Sequence, residues 1–138
     1  MSYLLDTNVL SEVRKPAPSA SVEAWFRTVP SSKLYLSVLV IGEIRQGVES
    51  LTRRDPARAA PLDRWLGDLV RRFADRTVPI TVEVAELWGR LCVPDPLPTV
   101  DGLLAATALV RGWTLVTRNT ADVRRTGVQL LDPFTEDD

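Results

Sequence analysis

Four acidic residues stand at positions where a folded chain could use them for chemistry. Asp6 directly follows the apolar segment Tyr3–Leu5, and Asp101 lies in the first turn of an apolar helical segment. Asp122 comes shortly after another apolar segment, and Glu43 interrupts an apolar helical stripe. Carboxylates in such places can bind a cation or move a proton, provided that they meet at one site.

Each of these carboxylates also has an ordinary structural explanation. Asp6 can cap the helix that follows it, and Asp101 suits the first turn of a helix because of the helix dipole. Asp122, three residues after Asn119, resembles part of a capping box. Glu43 can form an ion pair with an arginine, since an unpaired carboxylate on an apolar face is costly to bury.

The residue types that the chain lacks exclude several kinds of site. Its 138 residues include no histidine, one cysteine and two lysines. These counts exclude Ser-His-Asp triads, Cys-His dyads and cysteine-rich zinc sites, and the sequence has no P-loop motif. With 17 basic and 18 acidic residues, the chain also lacks the strongly basic composition of many nucleic-acid-binding domains. If the chain is an enzyme, its catalytic groups are therefore expected to be carboxylates, hydroxyls, arginines and a hard metal ion.

Strands alternate with helices along the chain, without a repeat or a long linker. Strands are predicted at Tyr3–Leu5, Leu34–Ser37, Thr77–Ile80 and Thr114–Thr117, with a candidate fifth at Val128–Leu131. The first two helices are predicted to start at Thr7 or Asn8 and at Ser19 or Ser21. Four further helices are predicted over Val38 to about Leu51, Pro61–Ala74, Thr81–Leu91 and Val100–Arg111. Thr99 is predicted to cap the last of them. This alternation predicts a single α/β domain over residues 1–138, with its core at about 3–134 and a central parallel sheet of four to five strands flanked by helices.

The order of these elements brings the four carboxylates toward one edge of the sheet. Binding sites in parallel sheets form beyond the carboxyl ends of the strands. Asp6, Asp101 and Asp122 each fall just after a strand or at the start of a helix, and Glu43 lies on the predicted inward face of its helix, together with Gly47. Neighbouring carboxylates repel each other, which raises their pKa values or favours bound cations. Mg2+ and Mn2+ prefer oxygen ligands, and such a site suits phosphodiester hydrolysis without histidine.

Four segments carry these acids in motifs that resemble those of the PIN domain family. They are Leu4–Glu12, Ser37–Gly47, Asp101–Ala108 and Thr117–Asp122. The resemblance extends from Tyr3 to about Phe134, and the compact length and the closing segment Leu130–Phe134 resemble toxins of the VapC and FitB type within that family. Four motifs in the right order are a specific signal, whereas any one of them would be weak.

The resemblance implies a metal-dependent endoribonuclease that is the toxin of a toxin-antitoxin pair. It implies that a catalytic and metal-binding set, here called the acidic quartet, consists of Asp6, Glu43, Asp101 and Asp122, with Mg2+ or Mn2+ as cofactor. Supporting polar residues are expected at Thr7, Asn8, Thr117 and Asn119. Val123 departs from the family pattern, since many relatives carry an aromatic residue there. The implied partners are an RNA substrate, a cognate antitoxin and a second copy of the chain, in a homodimer that forms a heterotetramer or a larger assembly with the antitoxin.

Basic and apolar residues near the first motif are candidates for contacts with these partners. Arg14, Arg45 and Arg118 are candidates for substrate binding, because arginine contacts to phosphates supply affinity for nucleic acid. An antitoxin groove is predicted on the first two helices, with ordinary core packing as the alternative explanation for the same residues: Val9, Leu10, Val22, Trp25 and Phe26. Glu12, in the first motif, is predicted to be exposed.

Two other functions are compatible with the sequence. A catalytically silent PIN-like module would bind RNA or a protein without turnover, but the intact acidic quartet argues against it. An aspartyl phosphatase would use Asp6 as its nucleophile, but such enzymes commonly place a second carboxylate two residues later, where this chain has Asn8. The leading hypothesis is therefore the ribonuclease.

The N-terminal segment, the longest apolar run and the cysteine content indicate the cellular compartment in which the protein is expected. Asp6 interrupts the N-terminal apolar stretch, so no signal peptide is visible. The apolar run Val100–Val110 is too short to span a bilayer and contains Asp101. A single cysteine, Cys92, fits a reducing compartment. We therefore expect a cytoplasmic protein with no membrane partner.

Overall fold

The computed structural model describes residues 1–135, and within them five short strands form one parallel sheet. The strands are β1 (Tyr3–Leu5), β2 (Leu34–Ser37), β3 (Thr77–Val78), β4 (Thr114–Val116) and β5 (Leu130–Leu131). Their order across the sheet is β3-β2-β1-β4-β5, so β1 lies at the centre. This sheet confirms the predicted α/β architecture.

The register of the strands aligns their carboxyl ends. In the two ladders of β1, Tyr3 lies opposite Leu34 of β2 and Thr114 of β4. The backbone N–H of Asp6 then donates to the carbonyl of Val116 at 3.0 Å, which extends the ladder by one residue. Because the strands run in one direction, the residues that follow β1, β2 and β4 meet at the same edge of the sheet.

Seven α-helices connect and cover the strands within the described residues. They are α1 (Thr7–Val13), α2 (Ala20–Thr28), α3 (Val38–Arg54), α4 (Pro56–Arg72), α5 (Val82–Leu91), α6 (Thr99–Arg111) and α7 (Thr120–Val123). The hydroxyls of Ser19 and Thr81 cap α2 and α5, and Gly112 ends α6 with a φ of 70° that favours glycine. None of the helices in this part of the chain combines the length and apolarity that crossing a membrane requires.

The core lies on both faces of the sheet. Leu4 and Leu5 are neighbours on β1 and both are completely buried. Since successive strand residues point to opposite faces, helices must cover each face. The other fully buried large side chains include Leu36, Val40, Leu66, Leu104, Leu115 and Val116.

Two helix starts differ from the sequence prediction. α4 begins at Pro56 rather than at Pro61, because Asp55 accepts a hydrogen bond from the backbone N–H of Arg58 and proline suits the first helical position. Pro61 therefore lies inside the helix. Thr99 is the first residue of α6 rather than its cap, and no side chain caps this helix.

Candidate active site

Asp6 is held rigidly at the junction of β1 and α1. Its side chain is 5% exposed and occupies the N-cap position of α1. Oδ1 accepts from the backbone N–H of Thr7 at 2.7 Å, and Oδ2 accepts from the Thr117 hydroxyl at 2.7 Å and from Asn8 Nδ2 at 3.2 Å. Asp6 thus both caps the helix and belongs to a network that reaches β4, and these donors compensate for the burial of its charge.

Thr117 links this network to the segment that follows β4. Because its hydroxyl donates to Asp6, it accepts from the backbone N–H of Asn119 at 3.0 Å and from Asn8 Nδ2 at 3.4 Å. Oδ1 of Asn8 in turn accepts from the backbone N–H of Arg118 at 3.2 Å. Asn119 occupies the N-cap position of α7, but its side chain makes no capping bond there. Side chains predicted to support the site thus join the ends of β1 and β4.

Glu43 reaches the same site from α3. Oε1 of this half-buried residue accepts a 2.7 Å hydrogen bond from the hydroxyl of Thr7. In residues 1–135 no arginine or lysine forms an ion pair with Glu43, so that alternative explanation was wrong. Gly47 is exposed rather than inward-facing, because the buried stripe of α3 runs through Val40, Ile44 and Val48.

Asp101, at the start of α6, has neighbours of the same charge. Burial is the largest cause that raises the pKa of Asp101 from its ordinary value of 3.8 to about 6. The negative charges of Asp6, Asp122 and Glu43 add to this rise, in that order. The fold supports the same grouping, because Asp6 follows β1, Asp122 follows β4 and Glu43 is bonded to Thr7 beside Asp6. Asp122 is the exposed member.

The donor set of the quartet suits a hard divalent cation. Carboxylate and hydroxyl oxygens are the ligands that Mg2+ and Mn2+ prefer, and positive charge would relieve the repulsion felt by Asp101. No three acidic or cysteine side chains among residues 1–135 are close enough together to hold an ion as they stand. Mg2+ commonly binds through one or two carboxylates and keeps several of its waters, so it does not require such a cluster. The residues therefore fit the cation in charge and in donor type.

Two of the predicted substrate-binding arginines lie over aromatic rings. The guanidinium of Arg118 is 4.1 Å from the ring centroid of Phe134, and that of Arg14 is 5.7 Å from the ring of Trp65. Both arginines are exposed. Their rings can hold the guanidinium groups in place while the N–H donors stay accessible to a phosphate.

Arg45 is engaged elsewhere. Nη2 lies 3.1 Å from Asp63 of α4, and Nη1 lies 3.5 Å from Glu49 of α3. These contacts join the two helices, so Arg45 is occupied by protein carboxylates in this structure.

The residues predicted to form one antitoxin groove lie in three different places. Val9 and Val22 are completely buried and form part of the core, so the prediction that they line a groove was wrong. Phe26 and Leu10 line a groove of about 380 Å³ that is walled by α1, α2 and α4. Trp25 lies on the other side of α2, where its ring packs edge-to-face against Tyr3 at 5.2 Å. Helical spacing alone did not separate these faces.

Glu12 was predicted to be exposed but is buried. One carboxylate oxygen pairs with Lys15 Nζ at 2.9 Å, and the other accepts from the backbone N–H of Ser19 at 2.8 Å. The side-chain bond from Lys15, followed by the bond from Ser19, lowers the pKa of Glu12. The spacing of Glu12 and Lys15, three residues apart, is a signal that could have indicated this pairing.

Comparisons with known proteins identify the family and the fold. The sequence profile of the PIN domain matches residues 3–128. The toxin FitB of Neisseria gonorrhoeae is 29% identical over 136 residues, which cover 95% of this chain and 97% of FitB. The VapC ribonuclease Y4jK of Sinorhizobium fredii is 28% identical over 136 residues, covering 95% of this chain and 96% of that protein. Among solved structures, the crystal structure of FitAcB from Neisseria gonorrhoeae has a chain that superposes with a TM-score of 0.86 at 30% identity, covering 96% of this chain and 98% of that one.

Proposed function

Because this chain belongs to the PIN domain family, we propose that it is a toxin of the VapC and FitB type that cleaves RNA with the help of Mg2+ or Mn2+. One observation carries the proposal: hydrogen bonds through Thr7 and Thr117 join Asp6, Glu43 and the end of β4 at one edge of the sheet. Burial and the charges of Asp6, Asp122 and Glu43 also raise the pKa of Asp101. Four converging carboxylates with no histidine are suited to metal-assisted hydrolysis of a phosphodiester. The ribonuclease and toxin names of the full-length relatives support the same assignment.

In the proposed mechanism, each acid of the quartet has a role that follows from its burial and its hydrogen bonds. The hydrogen bonds from Thr7, Asn8 and Thr117 hold the Asp6 carboxylate in one orientation. Burial and the neighbouring acids raise the pKa of Asp101 in the metal-free protein, and a bound cation would favour its ionised form because positive charge stabilises a carboxylate. A divalent cation bound there would supply neutralising charge at the phosphate and a lowered pKa for the attacking water. Exposed Asp122 lies on the solvent side, where RNA approaches.

Substrate contacts are proposed for Arg118 and Arg14, which the sequence also indicated. Both guanidinium groups are exposed and lie over aromatic rings, so each can meet a phosphate with little loss of side-chain freedom. Arg45 is a weaker candidate, because binding a phosphate would require it to leave Asp63 and Glu49.

We propose that the partner is a cognate antitoxin and that it occupies the groove between α1, α2 and α4. The apolar wall of that groove includes Leu10, Phe26, Trp65, Leu69 and Phe73. Charged residues at its rim include Glu23, Arg27 and Arg72. An apolar floor with a charged rim fits the apolar face of a partner helix. A homodimer that joins with the antitoxin in a larger assembly is part of the same proposal.

Cleavage of a mixed RNA pool by the antitoxin-free protein tests the proposed activity. Cleavage should depend on Mn2+ or Mg2+, stop with EDTA, and collapse in Asp101→Asn and Glu43→Gln. Glu86→Gln is the matched control, since Glu86 is exposed on α5 and is not among the charges that raise the pKa of Asp101. RNA binding without cleavage in the presence of Mn2+ would instead indicate a silent binding module.

A further inference from the structure

The proline-rich loop between α5 and α6 is fastened to the chain that follows α7. Arg125 lies in a short 3-10 turn, Arg124–Thr126, directly after α7. Its Nη1 donates to the carbonyl of Leu91 at 3.0 Å, and its Nη2 donates to the carbonyl of Asp95. One guanidinium therefore joins the end of α5 and the middle of the loop to the segment that carries an acid of the quartet.

The far end of the same loop packs against the start of α6. Leu97 is 6% exposed, and a Cβ added to Gly102 would lie 3.0 Å from Leu97 Cβ and 3.1 Å from Trp88 Cδ1. The backbone N–H of Gly102 also donates to the carbonyl of Pro98 at 2.8 Å. Since Gly102 directly follows Asp101, the loop contacts the backbone that places this carboxylate.

These two contacts connect the segments that bear Asp101 and Asp122. Both acceptors of Arg125 are uncharged backbone carbonyls, so the contact gains no ion pair. A planar guanidinium can bridge two carbonyls with fixed geometry, which a lysine cannot reproduce. The contact is therefore better suited to fixing a distance than to binding a charge.

We propose that Arg125 is a positioning residue: it fastens the loop of residues 91–98 to the segment of Asp122 and thereby fixes Asp101 relative to Asp122. The catalytic consequence rests on the proposed ribonuclease function. The positional consequence, a fixed pair of carboxylates, does not depend on turnover.

Three variants test the proposal in the full chain without antitoxin. Arg125→Ala removes both hydrogen bonds, and Arg125→Lys keeps the charge but not the planar fork. Arg124→Ala is the matched control, because within residues 1–135 the side chain of this exposed neighbour makes no hydrogen bond or ion pair. Single-turnover and steady-state RNA cleavage, Mn2+ titration calorimetry and amide hydrogen exchange are measured on each.

Arg125→Ala should lower kcat and weaken Mn2+ binding by about tenfold, as loss of a residue that orients ligands commonly does. The KM for RNA and the melting temperature should stay near their wild-type values, because the side chain is exposed and is not proposed to touch substrate. Amides of residues 91–98 and of the first turn of α6 should exchange faster. Arg125→Lys should behave more like Arg125→Ala than like the wild type, and Arg124→Ala should stay within about twofold of the wild type.

The outcomes separate this proposal from the proposed function. Wild-type kcat, Mn2+ affinity and exchange in Arg125→Ala would overturn the positioning role while leaving the ribonuclease in place. Full activity in Arg125→Lys would overturn it as well, since charge would then suffice. A wild-type protein that cleaves no RNA would refute the function, and Mn2+ affinity would still decide the positioning role. If the wild type also binds no Mn2+, the exchange rates in the first turn of α6 decide it.

Discussion

At the scale of single residues, burial and neighbouring negative charge raise the pKa of the Asp101 carboxylate. Its pKa of about 6 lies above the ordinary value of 3.8. The native state therefore binds more protons than the unfolded state between these two values, and the free energy of unfolding falls as pH rises through that range. Above a pH of about 6, the full cost of the Asp101 charge is present in the native state.

Asp101→Asn should therefore stabilise the metal-free protein more at about pH 8 than at about pH 4, since the asparagine is uncharged at both. A shift of about two pKa units corresponds to at most about 3 kcal/mol, and solvent screening of this partly exposed group lowers the expected difference to about 1–2 kcal/mol. Urea unfolding in EDTA at both pH values measures it, with Glu86→Gln as the control. An equal effect at the two pH values would contradict the raised pKa.

The Thr117 hydroxyl provides a second test at this scale, because it donates to Asp6 Oδ2 and is itself buried. Thr117→Val should lower the free energy of unfolding by about 1–3 kcal/mol, since a buried carboxylate loses a donor. RNA cleavage should fall as well, because Asp6 is less well oriented.

Thr107→Val is the matched control for this substitution. Thr107 is also completely buried, but its hydroxyl donates to the Leu103 carbonyl within its own helix. Its loss should cost less than about 1 kcal/mol and leave cleavage intact. Thermal and urea unfolding compare the two variants. Equal losses of stability would show that the bond from Thr117 to Asp6 contributes no more to the free energy of unfolding than the bond within the helix.

At the scale of elements, α2 presents two different apolar surfaces. Phe26 points into the groove beside α4, and Trp25 packs against Tyr3 on the other side of the helix. The two rings also contact each other edge-to-face at 5.0 Å. Neighbouring residues of one helix can thus serve the groove and the adjacent surface separately.

Phe26→Ala should weaken binding of the cognate antitoxin by about 2 kcal/mol or more, because a buried aromatic anchor is lost. Trp25→Ala, a truncation of similar size on the other surface, should change this affinity much less. Calorimetric titration measures both, and circular dichroism verifies that each variant is folded. A larger loss with Trp25→Ala would place the antitoxin on the opposite side of α2.

At the scale of the whole molecule, the central position of β1 brings distant parts of the chain to one site. Asp6 follows β1, Glu43 lies on the helix after β2, and Asp122 follows β4. Asp101 arrives on α6, which leads into β4. The repulsion among these acids is a cost that the folded state carries and that the unfolded chain largely avoids.

Mn2+ or Mg2+ should therefore raise the melting temperature of the antitoxin-free protein. At a concentration about 100 times the Kd, preferential binding to the native state adds about 2.7 kcal/mol. The increase should be lost or much smaller in Asp101→Asn and should persist in Glu86→Gln. An unchanged melting temperature of the wild type in millimolar Mn2+ would mean that no cation site is formed in the isolated chain.

Local patterns in the sequence were sufficient for the architecture, whereas the membership of the acidic quartet stays a prediction. The strand Tyr3–Leu5 and the start of α2 after Ser19 follow from apolar runs and capping residues, which act over a few positions. The parallel order of strands then brought Asp6 and Asp101 toward the same edge before any contact was known. Strand ends were less predictable, because β3, with two residues, ends where pairing with β2 ends rather than where apolar residues end.

Tertiary structure alone decided which side of each helix is buried and which polar groups meet. Val9 and Phe26 have similar amphipathic spacing, but one is in the core and the other lines a groove, since burial depends on the element that packs against each face. The bonds from Thr7 to Glu43 and from Arg125 to Leu91 join residues 36 and 34 positions apart. No local period encodes such contacts, because they exist only once the sheet has brought the separate segments together.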